Sequence, residues 1–164
     1  MAPTIQVRDA AEADREVLMA LHRALYRDHR DEVVSKEDLP LIEYRDYDRI
    51  LGDDLATLLR DRSSHVLVAE SQGVVVGYIT GRITVDRRRV LSCRGVVEDW
   101  YVVPGSRGSG AGALLLREIE QRFAAAGCEV IESATWSSNE GARRAHDALG
   151  FREIRVVYRK RIDS

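Results

Sequence analysis

The chain has 164 residues, with 25 Lys and Arg against 27 Asp and Glu and a net charge of −2. That balance argues against nucleic acid as a bulk polyanion partner. A hydrophobic share of 45% with 32% charged residues describes one ordinary folded domain, expected to span residues 1–164, and argues against disorder.

The start, Met1-Ala-Pro-Thr-Ile-Gln-Val-Arg-Asp, has no apolar leader core. No apolar run later approaches the ~18 residues of a membrane span. A soluble, cytoplasmic protein without a membrane partner is expected. Thr4 to Arg8 alternates apolar and polar, as a short strand does. An apolar stripe follows at Val17, Leu18, Leu21 and Leu25, one face of a helix. Acids lie at its start, with Arg27, His29 and Arg30 at its end, as the helix dipole favours. Asp31 to Leu41 reads as a polar loop. Tyr44 to Arg62 reads as a second helix with Tyr47, Ile50, Leu51, Leu55, Leu58 and Leu59 inward. Ser64 to Glu70 and Val74 to Ile83 are strands joined by the tight turn Ser71-Gln-Gly73, a hairpin signature. Arg87-Arg-Arg89 reads as a solvated turn, with a ligand-binding patch as the alternative. Val90 to Val103 is a third strand of this run, bent near Cys93-Arg-Gly95. Cys93 and Cys128 make neither a CxxC pair nor a metal-ligand spacing, which suits a reducing compartment and no metal site.

A glycine-rich loop, Arg107 to Gly112, comes next. It leads into a helix from about Ser109 to Ala126, with Leu114, Leu115, Ile119 and Phe123 inward and Gly127 as its stop. Glu129 to Trp136 is a strand. Asn139 to Leu149 is a helix ended by Gly150, and Phe151 to Arg161 is a last, alternating strand. Hairpin and crossover connections together imply a mixed sheet with helices on its faces.

A strand, a glycine-rich turn and a helix N-terminus make an anion site. Gly108-x-Gly110-x-x-Ala113 satisfies the dinucleotide fingerprint, but Pro104 separates it from the strand and most of the chain has already passed. Gly105-x-x-x-x-Gly110 begins like a phosphate-binding loop, but Ala111-Gly112 stands where Lys-Ser/Thr is needed. The third reading, Arg107-Gly-Ser-Gly110-Ala-Gly112, resembles the Arg/Gln-x-x-Gly-x-Gly/Ala signature of GNAT-type N-acetyltransferases. Glu98-Asp-Trp-Tyr-Val-Val-Pro resembles that family's acid-bearing fourth strand, and Asn139-Glu-Gly-Ala…Leu149-Gly-Phe151 its later helix and turn. Glu98-Asp-Trp-Tyr-Val is similar to polyamine acetyltransferases. Gly127-Cys…His146-Asp-Ala-Leu-Gly-Phe…Arg155-Val-Val-Tyr-Arg-Lys is similar to aminoglycoside 6′-N-acetyltransferases.

The resemblance implies an α/β (α+β) fold with a mixed, mainly antiparallel sheet, splayed between its fourth and fifth strands and flanked by helices on both faces. It implies direct transfer of acetyl from acetyl-CoA to a primary amine. The pyrophosphate would lie on Arg107, Gly108, Ser109, Gly110, Ala111 and Gly112, and the pantetheine along Trp100 to Val102. Asn139 is a further coenzyme contact, or a plain N-cap. An amine at neutral pH must lose a proton to attack, and Glu98 is the expected base. Asp99 faces the other side if the strand is regular, and a bulge would change that, which makes Asp99 the second-choice base or a partner for the substrate's charge. An oxyanion donor is expected from a backbone N–H near Tyr101. The family's thiolate-protonating tyrosine is replaced here by His146, either a general acid or a coenzyme contact, with Tyr101 and Tyr158 as alternatives. His22, His29 and His65 read as structural or surface residues. The acids between Asp28 and Asp54 would attract a cationic acceptor, or form a solvated face. Two further readings stand beside this one: acetylation of a protein N-terminus or lysine, and an acyl-CoA-binding regulatory domain without turnover. A homodimer through the exposed last strand is compatible with all of them.

Overall fold

Period-two runs of β-branched residues become the strands, and period-3.6 stripes the helices. The computed structural model describes residues 4–162. Met1 to Pro3, on which part of the leader expectation falls, and the last two residues lie outside the described residues. The chain divides into two compact units, Met1–Ala134 and Thr135–Ser164.

The first unit holds a sheet of five strands: β1 (Ile5–Asp9), β2 (Ser64–Ser71), β3 (Val74–Val85), β4 (Cys93–Val102) and β5 (Val130–Ser133), paired in that order. Contacts through β4 are antiparallel, and β5 runs parallel to β4. The helices are α1 (Arg15–Asp28), α2 (Tyr47–Leu58) and α3 (Ala111–Ala125). Side chains alternate across the sheet. Val66, Val68, Tyr78 and Tyr101 meet Leu18 and Leu21 of α1 and Leu51, Leu55 and Leu58 of α2. Leu67, Ala69 and Ile79 are wholly buried on the other face, which α3 covers with Leu115, Ile119 and Phe123. Each such buried aliphatic chain contributes about 2 kcal/mol. Gly95 and Gly81 let α3 sit this close, since a Cβ on Gly95 would stand 2.1 Å from the Phe123 ring.

Two features of the sheet shape the exit of β4. The first is a bulge. Thr80 pairs with Asp99 and the next residue, Gly81, with Val97, so Glu98 is the extra residue. The irregularity expected near Gly95 is therefore three residues later, and Gly95 instead makes room for Phe123. The second is the splay. β5 pairs with β4 only over Arg94 to Val97. From Glu98 onward that side of β4 has no strand beside it among the described residues.

The second helix, Tyr47–Leu58, is shorter than the expected Tyr44 to Arg62, because Arg45 and Asp46 form a turn before it and Leu59 and Arg60 a turn after it. In the second unit, α4 (Glu140–Ala148) ends at Gly150, whose φ of +88° only glycine adopts freely. The strand expected over Phe151 to Arg161 is not formed. Those residues are irregular, and Ile154, Val156 and Tyr158 lie exposed. Alternation supplies a face, but a strand also needs a ladder partner for its backbone.

Candidate active site

The bulge decides how the two acids of β4 are used. Thr80 and Arg82 lie two residues apart on one face of β3. Arg82 Nε stands 3.1 Å from Glu98 Oε1, and the Thr80 hydroxyl donates to Asp99 Oδ2 at 3.3 Å. Both carboxylates therefore share the face that carries α1 and α2, at the point where β5 leaves. A regular strand would have sent them to opposite sides.

Their surroundings differ. Glu98 is paired with a half-exposed arginine. Asp99 sits deeper, its side chain 25% exposed. Its own N–H donates to Thr80 Oγ1 at 3.1 Å, so the buried threonine grips it twice. Opposite Asp99 lies His22 of α1, with Nε2 3.6 Å from Asp99 Oδ1. His22 Nδ1 lies 2.6 Å from the Tyr47 hydroxyl of α2, and Tyr47 stacks on Tyr26 at 4.5 Å. The Tyr78 hydroxyl is buried with no hydrogen-bond partner among the described residues. Burial first, and the nearby Asp99 charge second, push the Tyr78 phenol well above its usual range, and burial does the same to Tyr47. Both stay neutral donors at physiological pH. Burial holds the nearby His29 low, so it is neutral there.

Tyr101, on the same face, is buried under Arg107, whose guanidinium lies 5.5 Å from its ring centroid. Burial, then the Asp28 charge, raises the Tyr101 hydroxyl. Arg107 donates to Asp28 Oδ2 at 3.2 Å and to the Val102 carbonyl at 3.0 Å. Val103 N–H bonds back to Val76 of β3. By strand alternation, the backbone groups of Val102 and Trp100 then point away from β3, toward the splay, and those of Tyr101 toward β3.

The loop after β4 ends in Gly110 at φ +90°, which is the N-cap of α3. Glycine has no side chain to cap the helix, and no side-chain cap bond forms. The Ser109 hydroxyl donates to the Ser106 carbonyl at 2.6 Å and accepts the Ala111 N–H at a long 3.4 Å. The first-turn N–H groups of a 15-residue helix, Gly112 among them, thus face outward as donors. A pyrophosphate fits this donor set, because it needs several N–H groups and a backbone without Cβ atoms in the way.

Asn139 and His146 belong to the second unit. Asn139 caps α4, accepting from Ala142 N–H at 3.1 Å. His146 Nδ1 lies 2.6 Å from the Ala142 carbonyl and its ring meets Phe151 edge-on. A carbonyl only accepts, so Nδ1 carries the proton and Nε2 is an acceptor in the neutral ring.

The structure brings Glu98, Asp99, Trp100, Tyr101, Val102 and the Arg107–Gly112 loop together along one strand and its exit. His22, Tyr47 and Thr80 join them without having been expected at the site, and so does Asp28, one of the acids expected to attract a cationic acceptor. His22 lies on the stripe of Leu18, Leu21 and Leu25, and a polar residue on an apolar helix face was the available signal.

Comparison with known proteins gives consistent findings. The sequence model described as the Acetyltransferase (GNAT) family matches residues 18–151. An aminoglycoside N(6′)-acetyltransferase type 1 from Stenotrophomonas maltophilia is 32% identical over 161 residues, covering 96% of this chain and 92% of that protein. Among solved structures, aminoglycoside N-acetyltransferase AAC(6′)-Iy in complex with CoA superposes with a TM-score of 0.78 at 23% identity, over 99% of this chain and 98% of that one. The same enzyme with the bisubstrate analogue CoA-S-monomethyl-acetylneamine gives a TM-score of 0.73 at 24% identity, over 97% and 99%. At these identities the structural likeness speaks for the fold.

Proposed function

The chain belongs to the acetyltransferase (GNAT) family and is an N-acetyltransferase using acetyl-CoA, and we propose that its acceptor is the 6′-amine of an aminoglycoside. The observation that carries the reading is the bulge. It sets two carboxylates at the mouth of the splay, one strand exit away from an uncapped, glycine-lined helix N-terminus. An amine needs the first and a pyrophosphate needs the second.

Acetyl-CoA, when bound, supplies an activated acyl group and a thiolate leaving group. The pyrophosphate would rest on Arg107, Gly108, Ser109, Gly110, Ala111 and Gly112, and the pantetheine on the outward backbone of Trp100 and Val102, as an added strand. An outward backbone N–H near Tyr101 would meet the oxyanion that develops on the acyl carbon. The acid pair Glu98 and Asp99 draws in the ammonium, and the amine, once it has lost its proton, attacks directly. His146 would protonate or contact the sulfur, and Asn139 would contact the coenzyme beside its capping role. Cys93 and Cys128 are free thiols, and burial with the neighbouring Cys93 pushes Cys128 up to about 12, so Cys128 offers no ready nucleophile for an acyl-enzyme.

We read residues 1–164 as one catalytic domain, since the family match runs across both compact units. The free thiols suit the cytoplasm. The exposed apolar residues of the last segment, Ile154 to Ile162, suit a homodimer.

A thiol-release assay with an amine panel tests this. Release of coenzyme A with aminoglycosides that carry a 6′-amine, and not with 6′-hydroxyl analogues, is expected. Release only with lysine peptides or protein N-termini would replace the acceptor. Acetyl-CoA binding without release by any amine would replace catalysis with sensing.

A further inference from the structure

The first unit contains an arrangement that the general reading of an acid on the fourth strand leaves unused. His22, Asp99, Tyr47 and Thr80 come from four different elements and converge on one gap. The gap between His22 Nε2 and Asp99 Oδ1 is 3.6 Å, too long for a direct hydrogen bond. Both groups are otherwise held. Thr80, wholly buried, fixes Asp99 through Oδ2 and leaves Oδ1 turned to the gap. Tyr47 fixes the imidazole through Nδ1. A second observation points to a missing occupant: the Tyr78 hydroxyl, on the same face, is buried and unpartnered among the described residues. Glu98, the other acid, already answers Arg82.

We propose that His22 is the catalytic base for the acceptor amine, with Asp99 holding the ammonium and then the imidazolium, and with Tyr47 and Thr80 as positioning residues. This deepens the proposed function and rests on it. A hydroxyl can donate or accept, so Tyr47 serves either imidazole tautomer. With Nδ1–H donated to Tyr47, Nε2 offers a lone pair to an ammonium that also touches Asp99. The N–H bond of the ammonium breaks, its electron pair stays on the amine, and the proton forms a new bond at Nε2. The imidazolium is then held at Nδ1 by Tyr47, and its charge faces the Asp99 carboxylate across the gap. The amine attacks the thioester carbonyl. A second proton, shed as the amide forms, protonates the departing thiolate. His22 gives its proton to water, so one proton leaves overall. Imidazole suits this step better than a lone carboxylate, since its basicity lies closer to that of an alkylamine. The titratable groups around the pair are Asp99 from β4, Tyr78 from β3, Tyr47 from α2, Tyr26 and Asp28 from α1, and His29 from the π-helical turn that follows α1.

Two measurements on the full chain test it. In steady-state kinetics, His22→Gln is expected to lose about 100-fold in kcat, to lose the acidic limb of the kcat/KM profile against pH, and to keep its KM for acetyl-CoA. Tyr47→Phe should lower kcat less and shift that limb without abolishing it. An unchanged profile in His22→Gln, or an effect confined to the acceptor KM, overturns the proposal. In wild-type protein labelled with ¹⁵N-histidine, the His22 ring nitrogens are expected to shift on adding a 6′-amino aminoglycoside and not its 6′-hydroxyl analogue. This readout needs no turnover and no variant. A shift without coenzyme A release supports the site while overturning the proposed function. Release without a His22 shift overturns the base and leaves the function standing.

Discussion

Glu98 and Asp99 were legible as chemistry from residue type and position alone, but their division of labour was not. The bulge between β3 and β4 is a property of the pairing, and no residue in β4 announces it. His22 was hidden for a related reason. Its partners Tyr47 and Asp99 stand 25 and 77 positions away and meet it only after α1 and α2 close over the sheet. The ion pair of Glu98 with Arg82 sets its prediction. Glu98→Gln is expected to raise the acceptor KM about tenfold, as removal of one charge contact does, and to leave the shape of the pH profile intact. A collapse of kcat with a flattened profile would move the base back to Glu98.

A second residue-level prediction concerns Arg8. Its guanidinium bridges Asp14 at 2.7 and 2.9 Å and reaches Glu70 at 2.7 Å. Asp14 is almost fully buried and also accepts the Ala11 N–H. The Arg8 hydrogen bonds hold its carboxyl below the usual carboxylate range. A depressed carboxyl stabilises the fold above the unfolded value, near ~3.9, and that stabilisation fades as pH falls through the lower, folded value. Arg8→Met should therefore cost about 1–3 kcal/mol at pH 7 in denaturant melts, and progressively less in acid. An equal loss at pH 7 and pH 3 would contradict the assignment.

Among the elements, strands and helices with strong periodicity were legible. β1, β2, β3 and α3 lie within a few residues of where their patterns put them. What failed was Phe151 to Arg161, where a strand pattern exists without a ladder partner among the described residues. The glycine-rich loop was legible as an anion site, but its glycines do unequal work. Gly110 stands at φ +90°, where a Cβ is strained by about 1–2 kcal/mol. Gly112 has ordinary backbone, and a Cβ there would meet Trp100 and Val102 at 3.6 and 3.7 Å, in normal contact. Gly110→Ala should weaken acetyl-CoA binding at least tenfold in calorimetry, and Gly112→Ala should change it little. Equal effects would mean that the loop's glycines are needed for space and not for conformation.

Over the whole molecule, the net charge of −2 gave no hint of an acceptor, because opposite charges cancel in the sum. Their placement is more telling. Along α1, α2 and the segment between, Asp31, Asp46, Asp48 and Asp53 are answered by arginines, and Asp28 holds Arg107. The acidic surplus is therefore smaller than the sequence count of that stretch suggests. It is still negative, and it borders the carboxylate pair. For a polycationic acceptor, KM should rise steeply between low and physiological salt, while KM for the anionic coenzyme should not. A salt-independent acceptor KM would assign these acids to solvation alone.

All of these expectations depend on the chain moving an acetyl group from acetyl-CoA onto one particular amine. A labelling experiment reads that transfer itself: the full chain is incubated with coenzyme A carrying a ¹³C-labelled acetyl group and an aminoglycoside with several free amines, and the label is located by NMR. A single labelled amide at the 6′ nitrogen, formed in step with free coenzyme A, is the predicted result. Label on another nitrogen, or labelled acetyl-CoA left intact in the presence of bound aminoglycoside, would contradict it.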